Sequence, residues 1–173
     1  NVSRPPASPE LSQVNQGSVF LNYALMERRT AHDWTETPFT TQEISQILWS
    51  AYGSSYLKDM RPSFWSFQWQ HRTVPSAHGR YPLTIWMANS TGIYVYYPYY
   101  HRLFMKIEGD KRVEMADTVG ANWMASAPTT LIVVWNSTKQ EQQYWAYSEI
   151  GFVIQNVNLE SIALGLVVDW AQV

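Results

Sequence analysis

The sequence predicts an α+β domain whose sheet contains a hairpin. The chain of 173 residues is 46% hydrophobic and 15% charged, a composition typical of one folded domain rather than of a disordered chain. Apolar residues recur with helical spacing near both ends, whereas β-branched and aromatic runs lie between them. Because two of those runs are joined by a short turn, a doubly wound parallel sheet is not expected.

The N-terminal third predicts an extended lead-in followed by two helices. Residues 1–19 hold three prolines and few apolar side chains, so we expect them to be extended. A first helix is expected from about Phe20 to Arg29. The second begins with a capping box at residues 40–43 and ends at Gly53. Its apolar stripe consists of Ile44, Ile47, Leu48 and Ala51.

The middle of the chain predicts a loop and then three strands. Residues 54–73 show no stable period, and we expect a loop there that is filled by aromatic rings. Those rings belong to Trp65, Phe67 and Trp69. Leu83–Ala88 and Ile93–Tyr97 flank an Asn-Ser-Thr-Gly turn, which predicts a hairpin. A third strand is expected at Arg102–Ile107.

The C-terminal third predicts a short helix, one more strand and a long helix. Asp110 is a candidate cap for a helix that runs to Val119. Thr129–Trp135 is β-branched throughout much of its length, so we expect a central strand buried on both faces. Gly165 is expected to end the long helix. That helix is indicated by Ile150, Val153, Ile154, Val157, Ile162 and Leu164.

Composition and motif content exclude several function classes. The chain has no cysteine, which excludes disulfides, thiolate catalysis and cysteine-ligated metals. A net charge of -2 gives no general attraction to nucleic acid or anionic membranes. The four histidines are scattered, so no metal site is expected. No apolar run is long enough to span a membrane and no secretory signal pattern is present, so we expect a cytoplasmic protein.

Two short segments combine residues suited to binding an anion and a flat ligand. Arg28, Arg29 and Thr30 could clamp a phosphate, or the arginines could simply favour the negative end of the first helix. Residues 72–83 place two prolines around small residues before a strand. Such a rigid loop brings main-chain groups close to a planar heterocycle, although it could equally be a structural turn.

Taken in chain order, five segments resemble the nitroreductase family of flavin-dependent oxidoreductases, nearest the branch that oxidises azolines in modified peptides. The resemblance runs from about residue 20 to 168. It implies a central mixed or antiparallel sheet flanked by helices, an intertwined homodimer and a nitroreductase-like domain over residues 20–173. The segments are Arg28-Arg29-Thr30, Ile47–Gly53, Arg72–Leu83, Ile93–Tyr96 and Glu149–Asn156 continuing to Ala163–Leu166.

The resemblance also implies a cofactor and its contacts. FMN would be held without a covalent bond at the dimer interface, with its phosphate at Arg28, Arg29 and Thr30. The ring would lie against Pro75, Ser76 and Ala77 of the other subunit, where Gly79 allows close approach, and Asn122 is a weaker candidate for its polar edge. The flavin would carry the hydride at N5, so no catalytic side chain is expected. NAD(P)H would bind only transiently, since no dinucleotide fingerprint is present.

Three features depart from that family pattern. His78 and Arg80 stand where relatives have glycine and small apolar residues. We expect both in a substrate pocket that favours an anionic group, although Arg80 could equally point to solvent. The azoline-oxidising branch has an adjacent Lys-Tyr pair before its Glu-x-Gly helix, whereas Lys139 and Tyr144 are separated here. Relatives continue beyond the position of Val173 through a glycine-rich loop and a final strand, which this chain is expected to lack.

A different class of function remains open from the sequence. An aromatic content of 15% would also suit a non-enzymatic module that binds a sugar or a protein partner. The same rings could instead alternate on the hairpin and pack in a dimer core. The candidate platform consists of Trp65, Trp69, Trp86, Tyr96, Tyr97, Tyr99 and Tyr100.

Overall fold

A computed structural model describes residues 8–15, 17, 19–30, 35, 37–57 and 70–170. Within these ranges the chain forms two helices, five strands, a helix, a strand and a final helix, which is the segregated order of an α+β protein. None of the described helices is both long and apolar enough to cross a membrane. The elements are α1 (Leu21–Glu27), α2 (Thr41–Tyr52), β1 (Ser54–Leu57), β2 (Gln70–Arg72), β3 (Leu83–Asn89), β4 (Gly92–Tyr97), β5 (Arg102–Glu108), α3 (Arg112–Val119), β6 (Thr129–Trp135) and α4 (Gln143–Ala163).

The main sheet has four strands in the order β5-β4-β3-β6, and every neighbouring pair is antiparallel. The predicted α+β class is therefore confirmed, and the sheet is antiparallel rather than mixed. Helices α2 and α4 pack against each other and against β3. The core between them includes Leu48, Tyr52, Ile85, Met87, Leu103 and Val153, each at most 2% exposed.

Helix α2 forms as the sequence predicts, but it ends for a different reason. The Thr40 hydroxyl accepts a hydrogen bond from the Glu43 N–H at 3.2 Å, and the Glu43 carboxylate accepts one from the Thr40 N–H at 2.6 Å. This confirms the capping box. Gly53 has a φ of -67°, so no left-handed turn is involved. A Cβ at Gly53 would lie 2.4 Å from the Trp49 ring, so glycine is needed for close approach.

The segment that was expected to be a loop contains two short strands. Strands β1 and β2 pair antiparallel, with Ser54 opposite Arg72, so the loop prediction is wrong at both ends of residues 54–73. Neither strand shows a clear alternation of apolar and polar residues, which explains why periodicity did not reveal them. Trp65, Phe67 and Trp69 lie outside the described residues.

Strand β6 lies at the edge of the four-stranded sheet, which corrects the expectation of a central strand. Its residues are half-buried, apart from an exposed Val134. A β-branched run shows only that a strand is favoured, because edge and central positions depend on how the hairpin partners are arranged. The central strands are β3 and β4, which include the expected hairpin.

The last two helices differ from expectation mainly at their first residues. Asp110 precedes the N-cap position Lys111, yet its carboxylate accepts the Arg112 N–H at 3.1 Å. Helix α4 begins at Gln143, seven residues before the expected apolar stripe. It ends as predicted at Gly165, which has a φ of 71°, and the N–H of Leu166 donates to the Ser161 carbonyl at 2.8 Å.

Candidate active site

A cavity of about 270 Å³ lies between the loop that follows β2 and the first turns of α4. One wall comes from the loop, and the opposite wall comes from positions along one side of the helix, where spacings of three and four residues bring side chains together. The cavity therefore combines flat apolar surfaces with a few hydrogen-bonding groups. It is lined by Pro75, Ser76, Ala77, Trp145, Ser148, Glu149 and Phe152.

The loop wall is held in a constrained conformation. Val74 is buried and anchors the loop to the core. The Ser76 hydroxyl accepts a hydrogen bond from the Tyr81 N–H at 2.9 Å, which closes the loop on itself. His78 and Tyr81 have φ values of 57° and 47°, a region that residues other than glycine rarely occupy. Such strain is common where a loop is shaped to meet a ligand.

Glu149 is the buried polar group of the helix wall. It is 2% exposed, although glutamate rarely lies inside a protein without a partner. Its Oε1 accepts a hydrogen bond from the Tyr52 hydroxyl at 2.5 Å, and its carboxylate also accepts one from Ser76. Burial raises the pKa of Glu149, and the hydrogen bonds from Ser76 and Tyr52 oppose that shift.

Tyr52 connects this carboxylate to a cation behind the cavity. The Arg72 guanidinium carbon lies 5.5 Å from the centre of the Tyr52 ring and 5.7 Å from that of Tyr81. Nε and Nη1 of Arg72 are shielded from solvent and have no hydrogen-bond partner among the described residues. Burial lowers the pKa of Arg72, and burial together with the Glu149 contact raises the pKa of Tyr52.

The structure brings three of the predicted ring contacts into this cavity, namely Pro75, Ser76 and Ala77. Three other loop residues lie beside it rather than in its lining. Gly79 has a φ of 63°, and the ring centre of His78 lies 5.0 Å from that of Trp145. Arg80 is exposed, and its guanidinium donates to the Lys139 carbonyl at 3.4 Å.

The predicted phosphate residues lie at the C-terminal end of α1, a helix that packs against α4. The Arg29 guanidinium donates to the main-chain carbonyls of Met26 and Arg28, at 2.8 Å each. The half-buried Arg28 side chain has no acceptor among the described residues, and Thr30 is exposed. Asn122 is exposed in a short 3-10 helix after α3 and does not line the cavity.

Reasoning from the sequence missed the helix wall and Tyr52. A signal for Glu149 was nevertheless present, because Ala146, Glu149, Val153 and Val157 follow the spacing of one buried helical face. A carboxylate at such a buried position needs a hydrogen-bonding or charged partner. Trp145, Ser148 and Phe152 gave no comparable signal. The described part of the chain contains no cluster of three or more side chains suited to a metal ion.

The family assignment follows from comparison with known proteins. The model of the nitroreductase family matches residues 25–172, which include both walls of the cavity. The chain belongs to the nitroreductase family. A protein of Methanocaldococcus jannaschii that is named as a nitroreductase is 30% identical to this chain, in a match that covers 91% of this chain and 78% of that relative.

Solved structures of other proteins show the same fold. A protein from Ralstonia eutropha named as a nitroreductase matches 91% of this chain and 71% of its own, with a TM-score of 0.72 and 24% identity. A second protein, from Desulfovibrio desulfuricans, is named as a nitroreductase in complex with FMN. The match covers 88% of this chain and 67% of that protein, with a TM-score of 0.59 and 14% identity. A chain of the Escherichia coli microcin synthetase McbBCD complex also matches. The match covers 95% of this chain and 64% of that chain, with a TM-score of 0.55 and 16% identity.

Proposed function

We propose that this nitroreductase-family chain is an FMN-dependent oxidoreductase that works as a homodimer. The observation that carries the proposal is the cavity between Pro75–Ala77 and α4. It joins the segment that the sequence singled out for a planar heterocycle to a helix wall with aromatic and hydrogen-bonding side chains. The FMN-bound Desulfovibrio relative supports the cofactor by fold alone.

The cavity has the chemistry that a flavin ring requires. Trp145 and Phe152 offer flat apolar surface, whereas Ser148 and Glu149 supply polar groups for a ring edge that carries donors and acceptors. Its volume of about 270 Å³ is below the range of roughly 300–1,000 Å³ that is usual for ligand sites. A second chain would supply the missing surface.

The residues at the C-terminal end of α1 carry donors of the kind that bind a phosphate group. A guanidinium binds phosphate through two parallel hydrogen bonds, and a hydroxyl adds a third donor. Arg28 and Thr30 are the residues that we assign to this role, because the Arg29 guanidinium is engaged with main-chain carbonyls. Arg28 is half-buried, which would strengthen its attraction to an anion relative to a fully exposed arginine.

Helix α1 supports the homodimer. It exposes several large apolar side chains, and contiguous exposed apolar patches usually mark interaction sites. Phe152 at the cavity is also 43% exposed, so the same partner surface could complete the site. The exposed side chains of this helix and the residue before it are Phe20, Leu21, Tyr23, Leu25 and Met26.

When bound, FMN would supply hydride transfer through its N5 atom. The chain's own residues would orient the ring, exclude water and hold the phosphate. The described chain provides no separate lobe for a dinucleotide, so NADH or NADPH would act as a transient donor. We propose a small or peptide-borne substrate. The separation of Lys139 from Tyr144 argues against azoline oxidation as the specific reaction.

A non-enzymatic aromatic module is the second candidate, and the placement of the rings disfavours it. Tyr96 is 2% exposed and its hydroxyl bonds to His101, so this ring cannot join a surface platform. Tyr97, Tyr99 and Tyr100 are exposed, but Trp86 is half-buried within β3. Trp65 and Trp69 lie outside the described residues.

FMN binding tests the proposal most directly. The purified protein should be yellow, or should quench FMN fluorescence when the flavin is added. Replacing Arg28 by alanine should weaken FMN binding by about 1.5–3 kcal/mol, roughly 10- to 150-fold, because a charge-assisted phosphate contact is lost. Arg102→Ala removes an exposed arginine on β5 and is the matched control, with unchanged affinity expected.

Rapid-mixing reduction of the FMN-loaded protein by NADH and NADPH, followed by oxidation with a quinone or a nitroaromatic compound, tests the reaction. Reduction and reoxidation are expected. A protein that binds no FMN under any condition would overturn the enzyme assignment and leave the binding module. A loaded protein that none of these donors reduces would overturn the general reductase activity alone.

A further inference from the structure

Among the described residues that line the cavity, Glu149 alone is ionisable. Its neighbours in the lining are a proline, an alanine, two aromatic rings and two serines. The carboxyl group is therefore nearly buried before any ligand arrives, at 2% exposure. A planar ligand in the cavity would remove the remaining water around it and add apolar surface. Both changes disfavour the ionised form.

Two hydroxyl groups hold the carboxyl in place. Tyr52, from the last turn of α2, donates to Oε1 at 2.5 Å. The Ser76 hydroxyl already accepts the Tyr81 N–H, so its own proton is free to be donated to Glu149. Tyr52 and Ser76 are positioning residues in this arrangement. They fix the carboxyl against the cavity whichever way it is protonated, because hydroxyls can donate or accept.

Among the described residues, no charged group packed against Glu149 balances its negative charge. From α2 and β2, Tyr52 lies between the carboxyl and the Arg72 guanidinium, which lies 5.5 Å from the Tyr52 ring centre and 5.7 Å from that of Tyr81. From the loop, the His78 ring contacts Trp145 instead. Helix α4 itself carries only one other charged residue, Glu160, which is eleven positions further along and bonds to Gln46. Burial therefore dominates the balance at Glu149.

We propose that Glu149 takes up a proton from solvent when the flavin ring fills the cavity, so that a neutral carboxylic acid faces the bound ring. This inference rests on the proposed FMN site. One carboxylate and one proton give one carboxylic acid, and no electrons move. A carboxylic acid can donate to a ring carbonyl or nitrogen, whereas a carboxylate can only accept and would repel negative charge on the ring.

Calorimetry of FMN binding to the flavin-free full chain measures this proton directly. Titrations at one pH in HEPES and in Tris, whose ionisation enthalpies differ, give the number of protons taken up. Wild type should take up a fraction approaching one proton, and its Kd should rise by about tenfold per pH unit where Glu149 is ionised in the free protein. Riboflavin is the second probe, because it lacks the phosphate and its protons.

Three variants separate Glu149 from its neighbours. Glu149→Gln should bind both flavins with no proton uptake at the carboxyl and with an affinity that no longer falls as the pH rises. Glu141→Gln removes an exposed carboxylate just before α4, and it should keep the wild-type proton count. His78→Asn removes the nearby imidazole, tolerates the positive φ of 57° at this position, and should also keep that count.

The outcomes distinguish this inference from the proposed function. Flavin binding with the same proton count in wild type and Glu149→Gln would overturn the inference and leave the FMN site intact. Absence of flavin binding to wild type would overturn both. If Glu149→Gln does not fold, infrared spectra of wild type with ¹³C-labelled glutamate decide the matter. Addition of flavin should then produce an isotope-shifted carbonyl band of a protonated carboxyl, and its absence would contradict the proposal.

Discussion

Helix α2 supports two buried polar networks that differ in what faces them. Ser45 and Tyr52 are seven residues apart and so lie on the same side of the helix, two turns apart. Ser45 belongs to a network that is enclosed by protein, whereas Tyr52 belongs to the network that opens on the cavity. One helix thus contributes to an enclosed polar network and to a network that faces the cavity.

The enclosed network is fully satisfied by one protonation state. The Ser45 hydroxyl donates to the Ser12 carbonyl at 2.5 Å, and it therefore accepts from Nε2 of His101 at 2.7 Å. Nδ1 of His101 then accepts from the Tyr96 hydroxyl at 2.8 Å. This assignment requires a neutral imidazole, and burial lowers the pKa of His101 in agreement. The network ties residues 8–15 to the body of the domain.

The open network is not fully satisfied from within. Among the described residues, Glu149 has two hydroxyl donors but no cationic partner, and nearby Arg72 has two shielded nitrogens without acceptors. Buried polar groups in native proteins are usually paired. We therefore expect a ligand in the cavity to supply the missing partners of the open network. The enclosed network, whose groups are already paired, is expected to affect stability alone.

The largest expected effects come from removing one hydroxyl from each network. Tyr96→Phe and Tyr52→Phe should each lower the free energy of unfolding by about 1–3 kcal/mol, because each leaves a buried partner unsatisfied. Urea unfolding measures both losses. Only Tyr52→Phe should change FMN binding, by moving the pH at which Glu149 takes up its proton. Equal effects of the two variants on FMN affinity would break the comparison.

Glu149→Gln should change the pH dependence of stability in the open network. The raised pKa of Glu149 means that wild type loses stability as the pH rises from about 4.3 to that raised value, by at most about 1.4 kcal/mol per unit. Because glutamine does not titrate, the free energy of unfolding of the variant should increase relative to that of wild type over this pH range, as measured in unfolding experiments. Burial also raises the pKa of Glu160, so Glu160→Gln should show the same sign. It should leave FMN binding unchanged, since Glu160 does not line the cavity.

His101→Asn should give the opposite sign in the enclosed network. Asparagine tolerates the positive φ of 47° at this position and does not titrate. The lowered pKa of His101 means that wild type loses stability as the pH falls from about 6.5 to that lowered value, by at most about 1.4 kcal/mol per unit. Thermal unfolding should therefore show that the stability of the variant increases relative to wild type only as the pH falls below about 6.5. A gain on the alkaline side would contradict the neutral assignment.

Local rules account for the parts of this fold that the sequence predicted correctly. The capping box at Thr40 and the left-handed Gly165 each act within a few residues, so the sequence alone is enough to recognise them. The edge position of β6 and the pairing of β1 with β2 depend on contacts between distant residues. No single-chain periodicity carries that information.

The candidate site likewise contains residues that local sequence reveals and residues that only long-range packing brings together. The loop around Ser76 was recognisable because its prolines and small residues are adjacent in sequence. Tyr52 and Glu149 are 97 residues apart, and only packing of α2 against α4 brings them together. Glu149 on a buried helical face was the one local sign of that contact. A glutamate at such a position predicts a buried partner, without telling which residue it is.

The smallest effect is expected for a charge pair that lies at the surface. Asp110 is exposed and accepts hydrogen bonds from the Arg112 guanidinium, at 2.6 Å for the shortest. These bonds lower the pKa of Asp110, so its contribution is present above the usual aspartate pKa and is lost as the pH falls through the lowered value. Asp110→Asn keeps a side-chain oxygen that can accept the Arg112 N–H and removes only the charge.

Solvent screens this pair, so Asp110→Asn should lower the free energy of unfolding by only about 0.2–1 kcal/mol. The loss should shrink further at high salt, because exposed charges are screened more than buried ones. Urea unfolding at low and high salt, with Tyr96→Phe measured in parallel, tests this difference. A loss at Asp110 as large as that at Tyr96 and insensitive to salt would show that charge, rather than burial, sets the energies in this protein.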